Sequence, residues 1–182
     1  MHFTLADLVT DITQNAVEAG ADWVELEIKE SASLQGNTEF RFLVKDNGKG
    51  MTEEQLRRAI DPFVTDGIKH PNRKVGLGLP FLIQTAEQSD GGWDIKSEKG
   101  KGTTVTAWFD TSSIDTPPVG DVPGMFRIIL MFNSNAEIII RRKKIDNDDY
   151  EICKSEIADA IGGFEEVGAL VLLGEYLKSL EE

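Results

Sequence analysis

One segment near the start of the chain, LVTDITQNAVEAGADWVELEI (Leu8–Ile28), changes its hydrophobic period from that of a helix to that of a strand. From about residue 5 to residue 19 the apolar residues recur three and four positions apart, which predicts one core-facing stripe of Leu5, Leu8, Val9, Ile12 and Ala16. The run WVELEI then alternates as a half-buried strand does. A helix joined to a strand by a short turn is therefore the first constraint on the fold.

Two polar residues, Asp11 and Asn15, share one edge beside this apolar stripe. Residues four apart lie one above the other on a helix, so the pair presents a carboxylate and a carboxamide oxygen side by side. The amide oxygen suits a Mg²⁺ ligand, and the carboxylate suits a group that orients a water or a hydroxyl. Taken alone, the pair is better explained as a solvated helix edge.

A second stretch, FLVKDNGKGMTEEQL, runs from an apolar strand into a glycine-containing turn and then into a helix whose start has capping-box spacing. Gly48 and Gly50 allow the backbone to turn sharply and to approach a flat ligand closely. Asp46 at the strand end is placed to accept a hydrogen bond from an exocyclic amine such as that of adenine. The alternative is an ordinary strand-to-helix turn.

A third stretch, RKVGLGLPFLIQ, places Gly76 and Gly78 just before a predicted helix, with the basic residues Arg73 and Lys74 beside them. Unpaired backbone N–H groups at a helix N-terminus form an anion site suited to phosphates. The spacing is not that of a dinucleotide fingerprint, and the chain has no Walker A pattern. Glycines that serve only helix packing are the alternative.

The clearest boundary is DTSSIDTPPVGDVPG (Asp110–Gly124), which holds three of the six prolines and has the composition of a linker. We therefore predict a domain of residues 1–110, a linker of residues 111–124 and a small module of residues 125–182. Before the linker the patterns predict helices near 5–19, 52–60 and 80–88, the strands WVELEI and FRFLVK, and the hairpin WDIKS/TTVTAWF. After it they predict the strands MFRIILMF and AEIIIRRKK and helices near 151–161 and 164–180, a ββαα order. This mixture indicates an α+β fold, a two-layer sandwich with helices on one face of a sheet.

Composition excludes several classes of partner. The formal net charge of −13 and the pI near 4.6 disfavour a nucleic acid or an anionic membrane. The single cysteine, the absence of a signal-peptide pattern and the lack of a long apolar run predict a cytoplasmic protein. The apolar terminal helices predict packing, with partner docking or a homodimer surface as the alternative.

The three stretches in this order resemble the ATP-binding domain shared by sensor histidine kinases, DNA gyrase, Hsp90 and MutL, the GHKL family, over about residues 4–109. DITQNAVEAGA resembles the family's N box, DNGKGM its first glycine box and VGLGL its second. IDPFVT resembles the phenylalanine box of the kinases, and SEKGKGTTVTAWF resembles their terminal hairpin. The resemblance implies the Bergerat fold, a mixed sheet covered by helices, with ATP and Mg²⁺ as its ligands.

The resemblance also assigns a role to individual residues. It makes Asn15 the Mg²⁺ ligand, Asp46 the acceptor for the adenine amine and Thr103 a support for Asp46 or for an adenine-bound water. It makes Asp11 the catalytic acid, although the family usually has Glu there and Asp is one methylene shorter. The rest of the implied ATP-binding set comes from the glycine boxes and the lid: Gly48, Gly50, Met51, Arg73, Lys74, Gly76, Leu77, Gly78 and Leu79.

Two departures from the sensor kinases guide the functional prediction. Glu18 stands where the kinases usually have Lys or Arg, and the only histidines, His2 and His70, do not lie on a helical hairpin. We therefore predict a stand-alone protein kinase that binds Mg·ATP and phosphorylates an unidentified partner in trans, as the anti-sigma serine kinases that resemble this domain do. The alternatives are a nucleotide-dependent binding switch and a slow ATPase that assists assembly of another complex.

Overall fold

The computed structural model describes residues 3–32, 36–63, 78–146 and 148–182. In chain order the elements are α1 (Leu5–Glu18), β1 (Trp23–Ala32), β2 (Thr38–Asp46), α2 (Glu53–Ile60), α3 (Gly78–Gln88), β3 (Gly92–Glu98), β4 (Gly102–Asp110), α4 (Val122–Leu130), β5 (Glu137–Lys143), β6 (Tyr150–Cys153), α5 (Lys154–Ile161) and α6 (Val167–Glu181).

The strands form one mixed sheet in the order β3-β4-β2-β1-β5-β6. All neighbouring pairs are antiparallel except β1 and β5, which run parallel. Alternate residues of each central strand are buried, and they form one core with apolar residues of α1, α3, α4 and α6. The predicted α+β fold with a mixed, helix-covered sheet is confirmed.

Local sequence signals explain where α1 lies and where it begins. The predicted stripe is buried, with Leu5 and Val9 at 0% exposure and Ala16 at 4%. Thr4 caps the helix because its hydroxyl oxygen accepts the backbone N–H of Asp7, whose carboxylate in turn accepts the backbone N–H of Thr4. The helix therefore starts at a defined residue and holds a fixed face on the sheet.

The prediction that Met125–Phe132 forms a strand is wrong, because Met125–Leu130 belongs to α4 and Met131 and Phe132 directly follow this helix. Asp121 accepts the backbone N–H of Gly124 at 3.0 Å, and Pro123 occupies the first helical turn. The buried residues of α4 fall at helical spacing: Val122, Met125, Phe126, Ile129 and Leu130. The helix packs against both α1 and α6, so its buried face lies within a layer of helices.

The order of the last segment is therefore α4-β5-β6-α5-α6 and differs from the predicted ββαα. The strand β6, Tyr150–Cys153, occupies the start of a stretch predicted as helix. The sheet also continues across the predicted linker, because β5 pairs with β1 from Trp23↔Glu137 to Lys29↔Lys143. The division of the chain into two domains stays a prediction. Within the described ranges no helix combines the length and the apolar content needed to cross a bilayer.

Candidate functional site

A cavity of about 350 Å³ lies between α1, the end of β2 with the turn after it, the start of β4, the end of α2 and the start of α3. Six predicted site residues line it: Asn15, Asp46, Gly50, Met51, Leu79 and Thr103. Its wall also includes apolar side chains of α1 and of the strands β2 and β4, among them Ile12, Val44 and Val105. The fold thus brings together residues from all three stretches singled out in the sequence, and Thr103 from the β3–β4 hairpin.

Asp46, the last residue of β2, is the polar centre of this cavity and is only 8% exposed. Its Oδ1 accepts the backbone N–H of Gly48 at 2.8 Å, and Thr103 lies opposite it in the β2–β4 register. Burial raises the pKa of the Asp46 carboxyl, and hydrogen bonds from the backbone N–H groups of Gly48 and Thr103 oppose that shift. A carboxylate has about four acceptor positions, so it retains capacity for a donor inside the cavity.

The glycines around Asp46 allow the turn to pack against the β3–β4 hairpin. Gly50 has φ +58°, and a Cβ there would overlap the carbonyl oxygen of Glu98. Gly102 has φ +122°, and a Cβ there would overlap the carbonyl oxygen of Asp46. The observed close approach at these glycines is therefore between two protein backbones.

Ser97 links this turn to the hairpin, and sequence reasoning missed it. Its hydroxyl oxygen accepts the backbone N–H of Met51 at 2.8 Å and lies 2.8 Å from Oγ1 of Thr103. The available signal was a polar residue on the inward side of the alternating strand WDIKS. Ser97 therefore fixes both Met51 and Thr103 at the cavity wall.

Asn47 makes a second link that sequence reasoning missed. Its Oδ1 accepts the backbone N–H groups of Asp22 at 2.9 Å and Trp23 at 3.0 Å. These two residues lie where the chain leaves α1 and enters β1. Asn47 therefore holds the glycine turn against the end of the helix that carries Asn15.

Asn15 reaches the cavity from α1 and lies against the start of α3. A Cβ built on Gly78 would be 3.2 Å from Nδ2 of Asn15, so the first residue of α3 is in close contact with this amide. Asp11 lies one turn earlier on the exposed side of α1 and does not line the cavity. Glu18 does line it, and its Oε1 accepts a hydrogen bond from Gln14 Nε2 at 2.9 Å.

Metal binding can be assessed from the side chains around Asn15. Among the described residues, no group of three or more His, Cys, Asp and Glu side chains is arranged to hold a metal ion. A cation at Asn15 would therefore take most of its ligands from a bound phosphate and from water, which is the usual coordination of Mg²⁺.

Several predicted residues lie outside the described part of the chain: Arg73, Lys74, Gly76 and Leu77. The predicted lid, residues 64–75, lies outside it as well. Phe63, from the stretch that resembles the phenylalanine box, is 91% exposed and does not line the cavity.

The fold and the cavity define a class of protein, the ATP-binding ATPase domains with a mixed sheet. The sequence profile of the family described as histidine kinase-, DNA gyrase B- and HSP90-like ATPase matches residues 3–113, more than half of the chain. The chain belongs to this family, whose domains bind ATP. The matched range ends soon after β4, so α4 and all later elements lie outside it.

The curated proteins to which the chain is similar include several kinases. It is 28% identical over 116 residues to the sensor histidine kinase ZraS of Escherichia coli (strain K12), a match that covers 64% of this chain and 23% of the relative. It is 33% identical over 99 residues to sporulation kinase E of Bacillus subtilis (strain 168), with 54% of this chain and 13% of the relative covered. The chain thus spans less than a quarter of the length of these relatives.

Proposed function

We propose that this chain binds Mg·ATP in the cavity and transfers the terminal phosphate to a partner protein in trans, as small anti-sigma serine kinases do. One observation carries the proposal: a buried carboxylate with free acceptor capacity, Asp46, lies in an apolar cavity that Asn15 also lines. Membership of an ATP-binding family and the kinase relatives support the same conclusion.

The inner half of the cavity suits adenine. Val44, Met51, Leu79 and Val105 offer apolar contacts to a flat ring, and Asp46 offers an acceptor to its exocyclic amine. Guanine carries a carbonyl oxygen at the corresponding position, which would face the carboxylate with another acceptor. We therefore expect ATP to bind more tightly than GTP.

The outer half suits phosphates and Mg²⁺. Asn15 supplies an amide oxygen for the cation. Gly78 and Leu79 lie next to Asn15 at the start of α3, and the backbone N–H groups at this helix N-terminus suit the phosphates. Arg73 and Lys74, just before this helix in sequence, are proposed to add positive charge. Bound Mg²⁺ would neutralise charge on the phosphates, and the protein contributes mainly positioning.

Asp11 is the residue that we propose orients the acceptor hydroxyl. It is exposed on α1, one helical turn from Asn15, so a hydroxyl group on a partner protein could approach it from solvent. Its position outside the cavity wall also favours a second candidate function, a binding switch in which ATP changes a docking surface without phosphate transfer.

A single labelling experiment separates these functions. Purified protein with Mg²⁺ and γ-labelled ATP, with and without lysate from its own source, is followed for label on protein and for free phosphate. Label on a second protein supports the kinase, free phosphate alone indicates a hydrolase, and tight ATP binding with neither product supports the switch.

Two variants assign the residues in the same assay. Asn15→Ala is expected to abolish Mg·ATP binding, whereas Asp11→Asn is expected to keep binding and to lose phosphate transfer. Unchanged Mg·ATP affinity in Asn15→Ala would contradict the proposed site. Unchanged label transfer in Asp11→Asn would remove Asp11 from the mechanism.

A further inference from the structure

α6 carries large apolar side chains that are exposed: Val167, Val171, Leu172 and Tyr176 are 45–76% exposed. They form two pairs at four-residue spacing, Val167 with Val171 and Leu172 with Tyr176, and we call the side of the helix that carries Val171 and Leu172 its outward face. The opposite face of the helix is already buried in the core through Ala169, Leu173 and Leu177, at 6%, 0% and 0% exposure. These exposed apolar side chains are more than the core requires, and apolar side chains grouped on a surface indicate an interaction site.

This face is held in a fixed position, because the C-terminal end of α6 is tied to the sheet. Arg142, only 2% exposed, donates to Glu181 at 3.1 Å and to Glu30 at 2.8 Å. Tyr150 donates its hydroxyl to Glu181, and Lys144 Nζ donates to the carbonyl oxygen of Leu180 at 2.7 Å. A preorganised face loses less conformational entropy when it binds a partner.

The charged residues nearest this face in the sequence are mostly acidic. Glu181 is paired with Arg142, and residues 155–182 contain six other Asp and Glu residues and one lysine, Lys178. Glu165 and Glu166 directly precede Val167, and Glu175 lies on the same helical face as Val171 and Leu172 because it is four and three residues further along. An apolar strip with acidic neighbours is complementary to a surface that is both apolar and basic.

We propose that this face of α6 docks a basic amphipathic helix of a partner protein. A second copy of the chain would bring the same negative charges together, and an anionic lipid surface would be repelled for the same reason. A basic amphipathic helix matches both properties, because its apolar side covers the exposed side chains while its Lys and Arg lie near the acidic residues. The proposal does not depend on the proposed kinase activity, since α6 lies outside the residues that match the ATPase family.

The test uses a fluorescent peptide of about 18 residues, five helical turns, with Leu on one side and Lys on the other. Fluorescence anisotropy compares it with a scrambled peptide of the same composition. We expect saturable binding of the amphipathic peptide and at least about tenfold weaker binding of the scrambled one. The double variant Val171→Ser/Leu172→Ser and the variant Glu175→Lys should each weaken binding of the amphipathic peptide by about tenfold or more.

Ile114→Ser is the matched control, because Ile114 is 98% exposed and lies in the predicted linker. It should leave peptide affinity unchanged, and all variants should keep the thermal unfolding temperature and the ATP affinity of the unmodified protein. Equal binding of both peptides, or unchanged affinity in Val171→Ser/Leu172→Ser, would reduce the effect to non-specific charge attraction and overturn the proposal. A dimer in sedimentation equilibrium that this double variant dissociates would assign the face to a second copy and also overturn it.

Discussion

Replacing Asp46 with alanine is expected to weaken ATP binding by about 10- to 100-fold. A hydrogen bond to a charged group contributes about 1.5–3 kcal/mol, and each 1.4 kcal/mol corresponds to a factor of ten in Kd. Asp46 is 8% exposed, so water would not replace the proposed contact to the adenine amine at low cost. The preference for ATP over GTP should narrow in the same variant.

Asp110 offers a closely matched control for this experiment. Like Asp46 it ends a strand, and its Oδ1 accepts the backbone N–H of the residue two positions later, Ser112, at 2.9 Å. It does not line the candidate ATP cavity. Isothermal titration calorimetry of both alanine variants with Mg·ATP should show a loss only for Asp46→Ala. An ATP affinity within about threefold of the unmodified protein, or an equal loss in Asp110→Ala, would refute the reasoning.

The raised pKa of Asp46 adds a pH dependence to this prediction. The ionised carboxylate is the stronger acceptor for the amine, so ATP affinity should fall as the pH falls through the raised pKa, and Asp46→Ala should lack this step. The free energy of unfolding depends on pH with the opposite sign to the ATP affinity. The folded protein binds this proton more readily than the unfolded chain does, so the contribution of Asp46 to the free energy of unfolding decreases as the pH rises from the ordinary to the raised pKa.

Two further predictions concern stability and are checked by urea unfolding. Gly50→Ala should lower the free energy of unfolding by more than about 2 kcal/mol, because the residue has a positive φ and its new Cβ would also overlap backbone atoms. Gly100→Ala, with φ +82° and open space around it, should lower the free energy of unfolding by about 1 kcal/mol. Equal losses would show that only the positive φ matters. Glu181→Ala should lower the free energy of unfolding by about 2 kcal/mol, because it removes one partner of the buried Arg142. Glu54→Ala should lower it by less than about 0.5 kcal/mol, because Glu54 pairs with Arg58 on the surface and 73% of its side chain is accessible. A cost for Glu54→Ala as large as that for Glu181→Ala would contradict the role of burial.

Local signals in the sequence predicted the elements whose pattern and capping agree. The buried stripe of α1 and the capping box of α2, with Thr52 and Gln55, are both confirmed. The run Met125–Phe132 was assigned wrongly, because a short apolar run does not distinguish a buried strand from a buried helix. Its position between α1 and α6 and the cap at Asp121 decide for a helix.

The candidate site divides in the same way between sequence and tertiary structure. Local patterns in the sequence identify the candidate chemical groups, since Asn15, Asp46 and the glycines stand in recognisable motifs. Which of these groups meet in one cavity depends on the folded chain, because the supporting contacts of Ser97 and Asn47 join residues 46, 25 and 24 positions apart. Such long-range hydrogen bonds depend on strand register and helix packing, and no local pattern in the sequence records them.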